Sequence, residues 1–492
     1  MLGALAVCVC AQTGVSAQVV SSPETAGAPF RAASILRALV PTLPEASAPG
    51  QDGPAEALRA CPGCPERHLF LPYLESTGLN VLYNIGNRAR GHETARIGPS
   101  SWYSNLKHGF EWDTNPFGVN QFGHPYQGNN YFTAGRANGL SFWESTPVAA
   151  FGSATWEYFF ENNRASLNDL INTTLGGIAL GEVLYRTAWL LRDTEATGGH
   201  RLTHEIVAAA VDPMTGVTRF ATGDASRIVE KPPSLIPSTL AARVSAGALW
   251  QGSSARSAQA TARPYLDLDL RYGDILTGRT HVPYEAFVLN FTAGGGSAIS
   301  EMASRGRFYG RPFGSEDQYQ FTVVQTFDYV VNRAYVFGGQ GFEAEVAAHP
   351  PPGAKTKWRL AASSGVSALA AVDSLIPPPD GEDDPGTVFV DPESRVYDYG
   401  PGFRIGGEAS VEGDGWWAAT LTYYLRHVAV VDGFRSNHVL QRLFLDLRFK
   451  LPDRIGVGIV GEYFFRKAYF WRGSARTDQS PQFRVYISWS SS

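Results

Sequence analysis

The sequence has no uninterrupted apolar run long enough to cross a membrane as a helix, although 44% of its 492 residues are hydrophobic. An ordinary membrane helix needs about 18 or more such residues, so any crossing would have to be made by strands.

The chain also has no basic cluster, and its formal net charge is -5. Nucleic acid is therefore not an expected partner.

Signatures of the common enzyme classes are missing as well. The chain contains no nucleophile elbow, zinc-binding helix, phosphate loop or dinucleotide fingerprint, and Gly294-Gly295-Gly296 is interpreted as a turn. The sequence therefore predicts no metal site and no cofactor. Enzymatic activity stays uncertain and is not the first expectation.

Cysteine is scarce, and two of the four cysteines fall within the first 17 residues. Residues 1–17 are predicted to be a signal peptide because an apolar stretch ends in small residues, although no basic residue precedes Arg31. Residues 18–65, rich in Ala, Pro and Ser, are expected to be a flexible leader. In an exported chain, Cys61 and Cys64 are expected to form a small disulfide.

Helical periodicity dominates residues 66–199, the predicted helical domain, because apolar residues recur there every three to four positions. Ser166 is predicted to cap a helix, with Asp169 completing a capping box. Gly177 and Gly181 lie one turn apart and predict close approach of a second backbone. The predicted helices cover 74–90, 101–110, 131–160 and 167–191.

After Gly199 the apolar period changes to 2, as in the strand Tyr265–Tyr272, where apolar and charged residues alternate. Residues 200–492 are predicted to form an antiparallel β-barrel of about twelve strands, of the outer-membrane type, which makes the chain α+β. A soluble two-sheet sandwich is the alternative.

The acidic insertion 376–394 would be an outward loop or a solvated linker. Strands are predicted near 218–229, 241–252, 265–272, 284–293, 297–309, 318–332, 335–347, 357–366, 397–412, 416–430, 443–451, 455–471 and 483–489.

Charged side chains of both signs are expected to face the lumen of this barrel. A twelve-stranded barrel is narrow, so facing charges can pair and close the pore; a selective channel is the second interpretation. The residues assigned to the lumen are Asp267, Asp269, Arg271, Arg359, Arg426, Asp446, Arg448, Glu462, Arg466 and Arg484.

A dense motif in the helical half resembles a bacterial family known only as domain of unknown function 3943. The motif includes Trp112-Asp113-Thr114-Asn115-Pro116-Phe117, a second block from Asn120 to Gly128, Phe142-Trp143-Glu144-Ser145 and a block from Ser166 to Gly177. The resemblance covers about residues 112–186. It implies no activity, because none is established for the family.

Polar residues crowd the same segment and include a candidate site. A histidine with carboxylates can act as a general base, so His124, Glu157 and Asp169 are the candidate catalytic residues. The simpler interpretation is that Asp169 caps its helix, Glu157 pairs with Arg136 or Arg164, and His124 shapes a turn. The remaining candidates are Arg136, Glu144, Asn168, Asn172, Glu182 and Arg186.

Three functional hypotheses follow. The first is a structural or interaction protein of the bacterial outer membrane, exported through its signal peptide, whose helical domain docks on the barrel or plugs it. The second is an outer-membrane enzyme that modifies lipid or lipopolysaccharide with the histidine–carboxylate group. The third is a transporter of small solutes or lipid. Outer-membrane lipid is the expected partner, and lipid or lipopolysaccharide would be the substrate in the second hypothesis.

Overall fold

A computed structural model describes residues 63–252, 262–275, 278–351, 354, 356–374, 395–413, 415–471 and 475–491. The predicted signal peptide, most of the predicted leader, Cys61 and the acidic insertion lie outside these residues. Cys64 is disulfide-bonded.

Eight helices precede the barrel in the described part of the chain, and three of them are extended by a π-helical turn. The helices are α1 (Leu71–Ala89), α2 (Pro99–His108), α3 (His124–Ala137), α4 (Phe142–Thr155), α5 (Leu167–Ile171), α6 (Gly177–Leu191), α7 (Gly198–Val211) and α8 (Pro213–Thr222). The π turns are Val119–Gly123 before α3, Trp156–Phe160 after α4 and Asn172–Gly176 between α5 and α6.

Twelve antiparallel strands then close into a barrel, as predicted, with each strand beside its sequence neighbours and β1 beside β12. The strands are β1 (Leu240–Gln251), β2 (Ala262–Tyr272), β3 (Phe287–Gly294), β4 (Ser297–Phe313), β5 (Tyr319–Val331), β6 (Val336–Ala348), β7 (Lys357–Asp373), β8 (Tyr397–Gly413), β9 (Trp417–Ala429), β10 (Ser436–Lys450), β11 (Ile455–Phe470) and β12 (Arg476–Ser490).

Two predicted boundaries are wrong. The barrel does not begin at residue 200, and 218–229 is not a strand, because α7 and α8 continue the helical domain to Thr222. The signals for α8 are in the sequence: Asp212 accepts a hydrogen bond from the Thr215 amide, and Gly223 ends the helix with φ 84°. The predicted helix 131–160 is also interrupted, since Gly139 has φ 69° and a new helix starts after Ser141.

The lumen is crossed by ion pairs. Arg442 on β10 binds Glu301 on β4, the strand on the opposite side of the barrel, at 2.7 Å. Arg426 on β9 binds Asp328 on β5 at 2.8 Å. The cavity beside these two residues measures about 10 Å³, room for about one water molecule. The predicted pairing of opposite charges across the lumen is therefore present.

The helical domain packs on the outer face of the barrel wall. Because successive residues of a strand point to opposite faces, Asp328 in the lumen places Phe327 and Tyr329 outside. Both are nevertheless buried, since they join the core formed with helical residues such as Phe132 and Leu180. The helices thus cover part of the wall from β2 to β8, while the lumen is filled by the barrel's own side chains.

The outermost helices are inverted, with polar residues inside and apolar residues outside. Asn80 and Asn84 of α1 are buried and donate hydrogen bonds to backbone carbonyls of Gly152 and Phe160 at 3.1 and 2.9 Å. Leu82, on the other side of α1, is 66% exposed. The exposed apolar residues of α1 and α2 are Leu74, Val81, Leu82, Ile85, Trp102, Tyr103 and Leu106. None of the described helices has the length and apolar character needed to span a membrane.

Candidate functional site

The three candidate catalytic residues lie in or beside the three π turns of the helical domain. A π turn widens the helix by one residue and often marks a functional position. Glu157 lies in the second π turn, His124 directly follows the first, and Asp169 lies in the short helix before the third. The structure therefore brings together the three candidate catalytic residues, although they come from separate segments.

His124, Glu157 and Asp169 form a compact buried group, here called the His–carboxylate cluster. One ligand-type atom from each residue lies within 4.8 Å of those of the other two. Nε2 of His124 is 3.7 Å from Oδ2 of Asp169. The three residues are 6%, 1% and 1% exposed. Nδ1 of His124 contacts the hydroxyl of Thr173 at 3.2 Å, which fixes the imidazole from its far side.

The hydrogen bonds around Ser166 differ from a capping box. Its hydroxyl accepts from the Asp169 amide at 3.2 Å, as predicted. The reciprocal bond is not made by Asp169, because the Ser166 amide donates to Oε2 of Glu157 at 2.7 Å. Oε1 of Glu157 has no hydrogen-bond partner among the described residues. Glu157 pairs with neither Arg136 nor Arg164, so that part of the simpler interpretation is wrong.

The barrel wall completes the site from outside its own lumen. The hydroxyl of Tyr399 accepts hydrogen bonds from Gln121, Asn168 and Asn172 at 3.0, 3.2 and 3.4 Å. Asn172 also accepts a bond from Gln340 of β6. Asn168 donates to Oδ1 of Asp169 at 2.8 Å. A chain of amides thus connects the outward face of β6 and β8 to the cluster.

Burial sets the protonation of the cluster. It raises the pKa of Glu157 well above its ordinary value, and the neighbouring carboxylate of Asp169 adds to the shift. It likewise raises the pKa of Asp169 and lowers that of His124. Burial also raises the pKa of Glu161 to about 7, against an opposing effect of His124. Burial therefore disfavours the charged form of each side chain in the cluster.

Three other candidates form a separate group. Glu182 accepts bonds from Arg136 and Arg186, each at 2.8 Å, and all three are buried. Glu182 and Arg186 lie one helical turn apart on α6 and are 0% and 3% exposed. Glu144 instead caps its own helix at Ser141 and pairs with the half-exposed Arg67 at 2.7 Å.

The predicted close approach at Gly177 is confirmed. A Cβ atom there would lie 2.5 Å from the backbone of Gly128, so α3 and α6 touch without intervening side chains. At Gly181 a Cβ atom would lie 2.8 Å from the ring of Phe132. These contacts hold His124 and Thr173 at a fixed separation, because both residues lie next to the crossing.

Several residues of the site were not identified from the sequence. Tyr399 and Gln340 lie on strands more than 150 positions away, and only their outward orientation in a strand could have indicated them. Asp113 and Glu161 act electrostatically on His124. Asp113 stands within the family motif, which is the one signal that could have singled it out.

Comparison with known proteins supports the family resemblance. The family model described as Domain of unknown function (DUF3943) matches residues 109–214. This range contains the whole His–carboxylate cluster and the Glu182 group. No match is found among curated proteins.

Solved structures similar to the chain include barrel proteins of low identity. The NanC porin covers 51% of this chain and 99% of its own length, with 9% identity and a TM-score of 0.29. The KdgM porin covers 50% and 98%, with 9% identity and a TM-score of 0.23. A loop-deletion mutant of OmpT, an outer membrane protein of Vibrio cholerae, covers 51% and 99%, with 9% identity and a TM-score of 0.21. We draw no functional conclusion from these likenesses.

Proposed function

We propose that the protein is a structural or interaction protein of the bacterial outer membrane, in which the barrel wall anchors a helical domain that also contacts lipid. The observation that carries this proposal is the inverted packing of α1 on a domain attached to the outer wall. In water such a helix would expose a costly apolar face, whereas beside a barrel that face can meet lipid.

The uncovered part of the wall supports the same location. Outward residues of β10 to β12, such as Leu445, Ile459 and Ile487, are 39%, 40% and 65% exposed, in the alternation typical of lipid-facing strands. Exposed aromatic residues stand near both ends of the strands, with Trp416 at one end and Trp471 at the other, as interfacial girdles do. Outer-membrane lipid is therefore the proposed partner.

Spin-label accessibility tests this proposal directly. A nitroxide would be attached to the variant L82C in a background with the native cysteines replaced by serine, and the full chain would be reconstituted in lipid. We expect the label at position 82 to collide frequently with oxygen and rarely with a polar nickel complex. A label at the wall position Leu445 should show the same collision frequencies. Glu93, whose side chain is 72% exposed, supplies the water-facing control. Nickel accessibility at Leu82 equal to that at Glu93 would exclude lipid contact by α1.

A lipid- or lipopolysaccharide-modifying enzyme is the second candidate, because the His–carboxylate cluster is assembled as its chemistry would require. His124 could act as general base on a water or hydroxyl. The burial of all three residues places this candidate second, since substrate would have to reach them. H124A that folds normally but abolishes a lipid modification in membranes would establish it.

Transport is the least favoured candidate because Arg442–Glu301 and Arg426–Asp328 cross the lumen. We expect no single-channel current from the purified protein in planar bilayers. Steady conductance that rises in E301Q, which breaks one crossing, would reverse this order of preference.

A further inference from the structure

We infer that the His–carboxylate cluster is a structural binding site for one first-row divalent cation of the Zn²⁺ class. The site joins three segments of the helical domain: His124 follows the first π turn, Glu157 lies in the second, and Asp169 precedes the third. A single ion bound there would fasten these segments together beside the barrel wall.

The donor set and its dimensions suit such an ion. Zinc binds histidine nitrogen and carboxylate oxygen at about 2.0–2.2 Å, so two of its ligands lie at most about 4.4 Å apart. The His124–Asp169 distance of 3.7 Å lies within this limit. The three ligand-type atoms lie within 4.8 Å of one another, so binding an ion would draw the most distant pair closer together. A nitrogen donor with two carboxylates favours zinc-like ions over Mg²⁺ and Ca²⁺, which prefer oxygen ligands throughout.

The surroundings of His124 already have the form of an outer coordination sphere. Metal-bound histidines usually have the second ring nitrogen held by a polar group, which fixes the tautomer. Thr173 holds Nδ1 at 3.2 Å, which leaves Nε2 directed to Asp169. Asn168 in turn holds the other oxygen of Asp169 at 2.8 Å.

An unpartnered atom points independently to a ligand. Oε1 of Glu157 is buried without a hydrogen-bond partner among the described residues, and a buried polar atom in this state is costly. No ion pair to lysine or arginine is made by Glu157 or Asp169 in the described part of the chain, where His124 is the one basic neighbour of Asp169 within 4 Å. Two carboxylates and a divalent cation would balance in charge.

Zinc titration of the full chain in detergent tests the inference, after chelator treatment and with bound metal counted by elemental analysis. We expect one tight equivalent, weakened at least about 100-fold in E157Q and H124Q. T173V, which alters only the support of His124, should weaken binding by about tenfold. Cobalt binding should give visible absorption bands that H124Q changes, a readout that does not depend on any activity.

A second, half-exposed group serves as the matched control, because Asp193, His200 and His204 also lie within 4.8 Å of one another. H200A removes an exposed ligand of that group and should leave the tight equivalent unchanged. Helical circular dichroism and heat-dependent gel mobility of each variant report whether it folds. Folded E157Q that binds zinc like the wild type, loss of the tight equivalent in H200A, or no binding of Zn²⁺, Mn²⁺ or Co²⁺ by the folded wild type would each overturn the inference.

Discussion

The helical domain contains two kinds of buried carboxylate, and they differ in their partners. Glu205 contacts Arg192, Arg201 and Arg219 at 3.3, 3.0 and 2.8 Å, and Glu182 is likewise held between two arginines. Glu157 and Asp169, as deeply buried and in the same domain, have no arginine or lysine ion pair among the described residues.

Burial alone does not explain the His–carboxylate cluster. A buried charge is tolerated when opposite charges and hydrogen bonds compensate it. At Glu205 the compensation is built from the chain itself, whereas at Glu157 it must come from protons or a cation. The buried charges of the arginine-paired groups are thus compensated within the protein, whereas compensation in the cluster depends on protons or cations from the solution.

The largest expected effect comes from breaking an arginine-paired group. E182A would leave Arg136 and Arg186 buried without their carboxylate, which should destabilise the helical domain by about 3–5 kcal/mol. E157Q, made at an equally buried position, should change the stability of the metal-free protein by less than about 1 kcal/mol, because the amide oxygen can still accept from Ser166. Urea unfolding in detergent, followed by circular dichroism at 222 nm, measures both.

R164A is the control for that pair of variants, because Arg164 pairs with Glu111 at the surface and such pairs contribute about 0–1 kcal/mol. Equal losses in E182A and E157Q would show that the two kinds of carboxylate do not differ in compensation.

The pH dependence should separate the two groups next. Burial raises the pKa of Glu161, beside the cluster, from 4.5 to about 7. The contribution of Glu161 to the free energy of unfolding is therefore complete below pH 4.5, where the carboxyl is protonated, and is lost as the pH rises through 7. The lowered pKa of Glu205, held down by its arginines against burial, acts in the opposite direction, since that stabilisation is lost as the pH falls below 4.5.

In the metal-free protein we therefore expect Glu161 to contribute a stability decrease of about 2 kcal/mol between pH 4.5 and 7, measured as the difference between the wild type and E161Q. Thermal unfolding in chelator at several pH values measures it. E161Q should reduce this slope, while E111Q, at the exposed surface pair, should leave it unchanged. The same slope in the wild type and in E161Q would mean that Glu161 is already compensated in the folded protein.

The sequence was sufficient to predict the barrel and the three residues of the cluster. It was not sufficient to predict that the cluster lies against the outer face of the barrel wall. Strand alternation identifies an outer and an inner face directly, so twelve strands and the lumen charges followed from residues such as Asp446 and Arg484. The trio was found because its residue types are unusual among aromatic and small neighbours. Nothing local in Tyr399 or Gln340 states that the outer face of their strands is covered by helices, because that contact joins segments far apart in the chain.

The inverted helices explain the misplaced boundary in the same way. In α7 and α8 the exposed residues include Leu202, Ile206 and Phe220, while Arg201 and Glu205 are inside. A periodicity argument assumes that apolar residues point to the core, and in α7 and α8 these apolar residues point outward. The capping residues Asp212 and Gly223 indicated the ends of α8 better than its apolar periodicity did.

The smallest expected effect concerns how much each group depends on the barrel wall. Y399F removes the hydroxyl that accepts from Gln121, Asn168 and Asn172, and unpaired buried amides should cost about 1–2 kcal/mol. Y272F removes a hydroxyl that contacts Arg186 at 3.4 Å, but Arg186 keeps its bond to Glu182, so the loss should be about 0.5 kcal/mol. Urea unfolding of the helical domain at pH 7 compares the two. A larger loss in Y399F means that the wall orders the cluster through its amides, whereas equal losses would reduce the wall to a surface against which both groups merely pack.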